Sequence, residues 1–336
     1  MKSQNRLWTG IIGMVGMTVL ILDAKTALSG ALDGISLCLN TVIPSLFPFF
    51  VFSSLLNSTL TGRQLSVLRP IGKFLGIPAG AESLLLLGFL GGYPVGAQCI
   101  TEAFKNKRIN QKDAHRLLGF CSNAGPAFIF GMGSCLFEQK QILWVLWGIH
   151  ILSALLIGFF LPQKSQRFCA LPQGKHITIS QALEKGIRTI AFVCGWVILF
   201  RVFLAFLQRW FLWLVANEVQ VFLVGLLELS NGCCRLIEIT SLGTRFVICA
   251  GILGFGGVCV AMQTVSVTSG LGTGLYFPGK IMQGSISVLI SYFLQAILFQ
   301  PANRCGAWPL YFGVTAATGF LWILLISKKK RVAISC

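Results

Sequence analysis

The chain has 336 residues, of which 55% are hydrophobic and 11% charged, where an ordinary soluble domain is about half apolar and a quarter charged. A mean hydropathy of +0.78, with long apolar runs separated by short basic stretches, excludes a soluble enzyme and describes an all-α polytopic membrane protein. The net charge of +17 does not point to nucleic acid, because the Lys and Arg residues are scattered over short loops without aromatic interleaving.

In chain order, residues 1–60 predict N-terminal transmembrane helices, one at 7–22 and one within 35–60, where Pro44 and Pro48 break or kink the helix. Residues 61–81 carry Arg63, Arg69 and Lys73 and predict a cytoplasmic interfacial segment. Residues 82–161 hold a hairpin, a broken span and a full span. Gly91, Gly92, Tyr93, Pro94 and Gly96 interrupt the apolar run 82–104, and the loops on both sides are equally basic. Re-entry on one side keeps both of those loops inside. The next span, 117–137, is interrupted at Ser122 to Pro126, and 141–161 returns to a basic loop, 162–186. A second unit spans 187–327: a span at 187–215, a short hairpin at 219–235 broken at Ser230 to Gly232, and a span at 246–262 broken at Gly254 to Gly257. An inside loop with Lys280 follows, then spans at 281–299 and 308–326 and a basic tail, 328–336. Both termini are expected in the cytoplasm.

The two halves repeat one pattern, a hairpin tip followed by a broken span: GGYPVG then SNAGPAF, and ELSNG then GFGGVCV. Gly96 aligns with Gly232 and Gly125 with Gly256. The charge pattern opens the first hairpin from inside and the second from outside. The predicted architecture is thus an inverted repeat of re-entrant helical hairpins and broken transmembrane helices, as in secondary transporters. A broken helix leaves N–H and C=O groups that lipid cannot satisfy, so a solute, an ion, water or a neighbouring helix must meet them.

GFLGGYPVGA (88–97) and SNAGPAFI (122–129), with LELSNG and GFGGVCVAMQ in the second half, resemble the YlbJ-type sporulation integral membrane proteins, which carry the nucleoside-recognition or Gate domain. The resemblance implies a multi-pass protein of the bacterial cell membrane needed for spore formation, with 82–161 as a first Gate-like repeat. It also implies a distant similarity to concentrative nucleoside transporters, whose order of hairpins and broken spans matches. The nucleoside-contacting acidic motifs of those transporters do not occur in the first hairpin here, where the tip is GGYPVG.

Candidate solute-binding residues lie at the breaks: Gly92, Tyr93, Pro94 and Gly96; Ser122, Asn123 and Gly125; Glu228, Ser230 and Asn231; Gly256 and Gln263. Glu228 is the acidic residue placed in the membrane interior, where an ionised carboxylate costs about 2.5–3.5 kcal/mol. It serves a cation, a proton or the solute, or it pairs with Arg201, the one basic residue placed deep in a span. Asn123 and Asn231 either offer amides to a solute or cap the half-helices that follow them. Gln263 offers its amide to a solute or to a neighbouring helix. Tyr93 gates a cavity or anchors at the interface. His115, His150 and His176 read as loop or interface residues, and the twelve cysteines as small hydrophobes without metal-ligand spacing. No HExxH, GxSxG or P-loop motif occurs, so neither an enzyme nor a cofactor is expected. The sequence predicts a transporter-like protein of spore formation that moves a small polar solute by alternating access; the alternative is a non-transporting scaffold of the sporulation machinery. The expected partners are membrane lipid, the solute, a coupling ion (Na+ or H+) and a second copy of the chain.

Overall fold

The computed structural model describes residues 2–60, 63, 65–161, 176–300, 304–307, 309, 311 and 313–318. The loop residues 162–175, most of the last expected span and the basic tail lie outside the described residues. The described residues contain helices and no strand. In chain order the helices are α1 (Lys2–Leu22), α2 (Ala24–Leu37), α3 (Ile43–Leu60), α4 (Arg69–Phe74), α5 (Glu82–Leu90), α6 (Val95–Lys105), α7 (Gln111–Leu118), α8 (Pro126–Gly133) and α9 (Lys140–Phe160). They continue as α10 (Ile179–Trp210), α11 (Asn217–Leu227), α12 (Leu229–Arg235), α13 (Leu242–Phe255), α14 (Gly257–Val267) and α15 (Tyr276–Leu298). Among the described residues, five stretches are long and apolar enough to cross a membrane: Ala24–Leu60, Lys140–Phe160, Ile179–Trp210, Leu242–Val267 and Tyr276–Leu298.

The span expected within 35–60 is the later part of a single helical run of 37 residues. Its halves, α2 and α3, join through a π-turn at Cys38–Val42. Pro44 comes two residues after it, in the first turn of α3, and the wider turn gives its ring room against the carbonyl four residues back. α10 packs along both α2 and α3. Gly30 and Gly34 set the distance: a Cβ on either would lie 2.9 Å from a main-chain carbon of α10, at Val202 and Ile198. Small residues four apart let two helices meet backbone to backbone.

The segment expected at the interface contributes α4, and it is tied to the first hairpin by charge. Arg69 Nη1 donates to Glu82 Oε1 at 2.8 Å, and the Gly80 N–H donates to Glu82 Oε2 at 2.7 Å. Glu82 itself is fully buried, so it depends on both donors.

α9 and α15, the long helices that follow the two broken spans, lie against each other, and the Ser287 hydroxyl donates to that of Ser153 at 3.0 Å. α15 also crosses the end of α7, where any side chain at Gly279 would collide with the Gly119 carbonyl. Lys280 follows directly. It was expected in an inside loop, yet α15 begins at Tyr276 and buries Lys280 in its second turn. The run Phe277-Pro278-Gly279 reads as a loop, but Pro is well tolerated in a first helical turn and the glycine is needed for the crossing.

Candidate functional site

Each predicted hairpin is a pair of helices joined by a tight turn. α5 and α6 turn at Gly91 to Pro94, where Gly92 takes φ +74°, a conformation that L side chains rarely adopt. The legs meet at Gly88 and Gly96, and a side chain on Gly96 would strike both the Cys121 carbonyl and Gly88. α11 and α12 repeat this with Gly225 against Gly232, joined by the single extended residue Glu228.

Each predicted broken span is also interrupted, and its break rests on the hairpin of its own half. Between α7 and α8 the chain is extended at Gly125, which packs on the Leu90 carbonyl and Gly92. Between α13 and α14, Gly256 takes φ +85°, and Gly257 packs on the main chain of Gly225, Leu227 and Leu229. The halves then meet. Tyr93, from the first tip, puts its hydroxyl against Gly256, where a Cβ would lie 2.8 Å from it.

A cavity of about 30 Å³ lies where both hairpin tips meet the two broken spans, lined by Tyr93, Gly125, Glu228, Ser230 and Gln263, with apolar walls from α3, α8 and α10. That volume holds one or two waters. Gln263 Oε1, buried there, has no hydrogen-bond partner among the described residues; its Nε2 reaches only Cys259 Sγ of its own helix, at 3.5 Å. The bond to a neighbouring helix that the sequence allowed is therefore not formed among the described residues.

Glu228 is buried at the second tip, but not against Arg201. Its carboxylate caps α12, accepting from Ser230 N at 3.1 Å, Asn231 N at 2.7 Å and Asn231 Nδ2 at 2.6 Å. Arg201 donates instead to Asp33 Oδ2 at 2.8 Å and to Gln208 Oε1 at 3.2 Å. The expected pair fails because similar depth does not fix direction. Arg201 belongs to the face of α10 that meets α2, and Asp33, which falls outside the expected spans at 7–22 and 35–60, lies within α2.

Asn123 does not cap the half-helix after it. Its Nδ2 donates to the Phe120 carbonyl at 2.7 Å, and its Oδ1 accepts from Lys280 Nζ at 3.1 Å and Gln283 Nε2 at 2.9 Å. Ser122 is fully buried beside it, its hydroxyl without a partner among the described residues. Pro94 sets the turn after Tyr93 and precedes α6.

Lys280, Gln283 and His150 complete this centre and were not singled out from the sequence. The Lys280 ammonium donates to Tyr93 OH at 3.0 Å, Asn123 Oδ1 at 3.1 Å and Gln283 Oε1 at 2.6 Å, and stands 5.1 Å from the Tyr93 ring centroid. No carboxylate lies within ion-pair distance of it among the described residues. Three hydrogen bonds to a charged group, at about 1.5–3 kcal/mol each, are on the scale needed to hold it there. His150 was expected at a loop or interface, yet it is buried mid-way along α9, where its Nε2 accepts from the Ala124 N–H at 3.0 Å. The imidazole thus replaces the helical partner that the broken span denies that N–H. Of the other histidines, His115 reaches the Leu271 carbonyl at 2.8 Å and His176 is exposed. One signal for Lys280 was available: a Lys one turn into an apolar stretch with Gln three residues later.

Among curated proteins, the chain is similar to the sporulation integral membrane protein YlbJ of Bacillus subtilis (strain 168), with 26% identity across 79% of this chain and 76% of that protein. The match supports the YlbJ-type family. No family model matches the chain, and no solved structure does. With this similarity to an integral membrane protein and five helices among the described residues able to cross a bilayer, the protein is a multi-pass membrane protein in a lipid environment.

Proposed function

We propose that the protein acts in spore formation by moving a small polar solute, chemically unchanged, across a membrane, with its two halves working as inverted repeats in alternating access. The observation that carries this reading is the meeting of both hairpin tips and both broken spans around one cavity with polar groups from each half. Gly88 with Gly96, and Gly225 with Gly232, are matching contacts within the two hairpins. Gly125 and Gly257 are matching contacts of each break on its hairpin. The Ser153 to Ser287 bond joins equivalent helices, as expected for residues beside a two-fold axis. Alternating access about such an axis closes the path by packing the tips together, and a cavity of only about 30 Å³ fits an occluded arrangement.

Uptake by proteoliposomes containing the full chain, tested with a panel of radiolabelled small polar solutes, examines this reading. At least one solute should enter saturably, and Gln263→Leu, which removes the amide oxygen left without a partner among the described residues, should raise its KM. A folded protein that restores spore formation while taking up none of the panel would instead identify a scaffold.

A further inference from the structure

The second buried charge at the centre of the molecule sets what drives the proposed movement. Lys280 is enclosed by oxygen from three separate elements: the first hairpin tip (Tyr93), the first break (Asn123) and α15 (Gln283). An ammonium has three N–H donors and no acceptor, and here each donor meets one oxygen. The tyrosine ring covers a further side, as favours a cation. Broken helices are where transporters coordinate a monovalent coupling cation, through oxygens freed from helical bonding. Here the oxygens are side-chain ones gathered beside the first break, and they already hold a cation the chain supplies itself.

We propose that Lys280 is a tethered cation, occupying the place of a dissociable monovalent coupling ion, so that the protein needs no sodium. This rests on the transport reading for its meaning, but the site stands on its own geometry. The other charged group at the centre, Glu228, spends its carboxylate on α12 and leaves Lys280 with neutral oxygens only. Gly279 explains the reach, since the close crossing over Gly119 brings the α15 backbone near enough for a lysine to span to Asn123.

The test is thermal unfolding of the purified full chain in nanodiscs, followed by tryptophan fluorescence, in sodium chloride against N-methylglucamine chloride at equal ionic strength. The parent protein should melt at the same temperature in both. Lys280→Ala empties the cage while keeping its three oxygens, so sodium should raise its melting temperature by about 3 °C or more, as for a ligand bound only by the folded state. Lys280→Ser, which adds an oxygen in place of the amine, should respond in the same direction and serves if the alanine variant does not accumulate. Sodium stabilisation of the parent overturns the proposal, and so does a folded Lys280→Ala or Lys280→Ser protein indifferent to sodium. None of these outcomes depends on solute movement, so loss of the transport reading would appear only in the uptake assay.

Discussion

Glu228→Gln and Glu228→Ala should separate the capping role of this carboxylate from any role of its charge. Both Asn231 donors share Oε2, at 2.7 and 2.6 Å, and Ser230 N uses Oε1 at 3.1 Å. A glutamine can keep its single oxygen on Asn231 and turn its NH2 toward Ser230. It loses one bond to a charged group, about 1.5–3 kcal/mol, and gains back the cost of an embedded carboxylate, about 2.5–3.5 kcal/mol. The two largely cancel, so Glu228→Gln should lie within about 2 kcal/mol of the parent. Alanine also removes the charge but strands both Asn231 donors, at about 1–3 kcal/mol each, which places Glu228→Ala about 2–6 kcal/mol below the glutamine variant. Thermal unfolding in nanodiscs and the amount of membrane-inserted protein measure this directly. Solute uptake measured alongside should be lost in Glu228→Gln if the charge serves the solute. A glutamine variant as unstable as the alanine variant would refute the hydrogen-bond arithmetic, and one with full uptake would show that the charge has no transport role.

Gly96→Ala and Gly232→Ala should each lower inserted protein, because the added methyl meets main chain across its hairpin and overpacking costs about 1–3 kcal/mol. Gly148→Ala, on α9 with nothing within 4 Å of the added atom, should be neutral or stabilising by up to about 1 kcal/mol. In a double-mutant cycle on unfolding, Arg201→Gln and Asp33→Asn should show a coupling energy of about 0.5 kcal/mol or more, whereas Arg201→Gln and Glu228→Gln should add within about 0.5 kcal/mol. In a cysteine-depleted background, Lys73→Cys and Lys105→Cys, both exposed in the fold, should be labelled by an impermeant thiol reagent from the same side of the membrane. Labelling from opposite sides would mean that the first hairpin crosses fully.

The breaks were legible because their chemistry is local. Glycine and proline runs within apolar segments, GGYPVG and SNAGP, mark where a helix cannot continue, and the structure interrupts the helices there. The aligned pair Gly96 and Gly232 was legible as a position in a pattern, and both residues make the same leg-to-leg contact. The match of Gly125 with Gly256 was one residue short, since Gly257 makes the corresponding contact. What stayed hidden depends on rotation about a helix axis and on where α15 begins. Asp33 and Arg201 are 168 residues apart, and no local pattern says that their faces meet. Lys280 looks like a loop charge because lysine is expected to mark a boundary, and only the Gly119 and Gly279 crossing makes its burial possible.

The length of α10 has a mechanical consequence. Its 32 residues extend about 48 Å at 1.5 Å per residue, against a hydrocarbon layer of about 30 Å. The polar start of the helix, with Glu184, Lys185 and Arg188, is the part that overhangs. There Lys185 grips Glu102 at 2.7 Å, near the foot of α6, while Asn57 of α3 holds the same carboxylate at 3.2 Å. By length and polarity the clamp is expected at headgroup depth, where salt would screen it and anionic lipid would compete for the lysine. From Glu102 the leg α6 leads back to the turn that carries Tyr93, so the clamp and the cavity stand at opposite ends of one short helix, and a change in leaflet charge should be felt first at the clamp end.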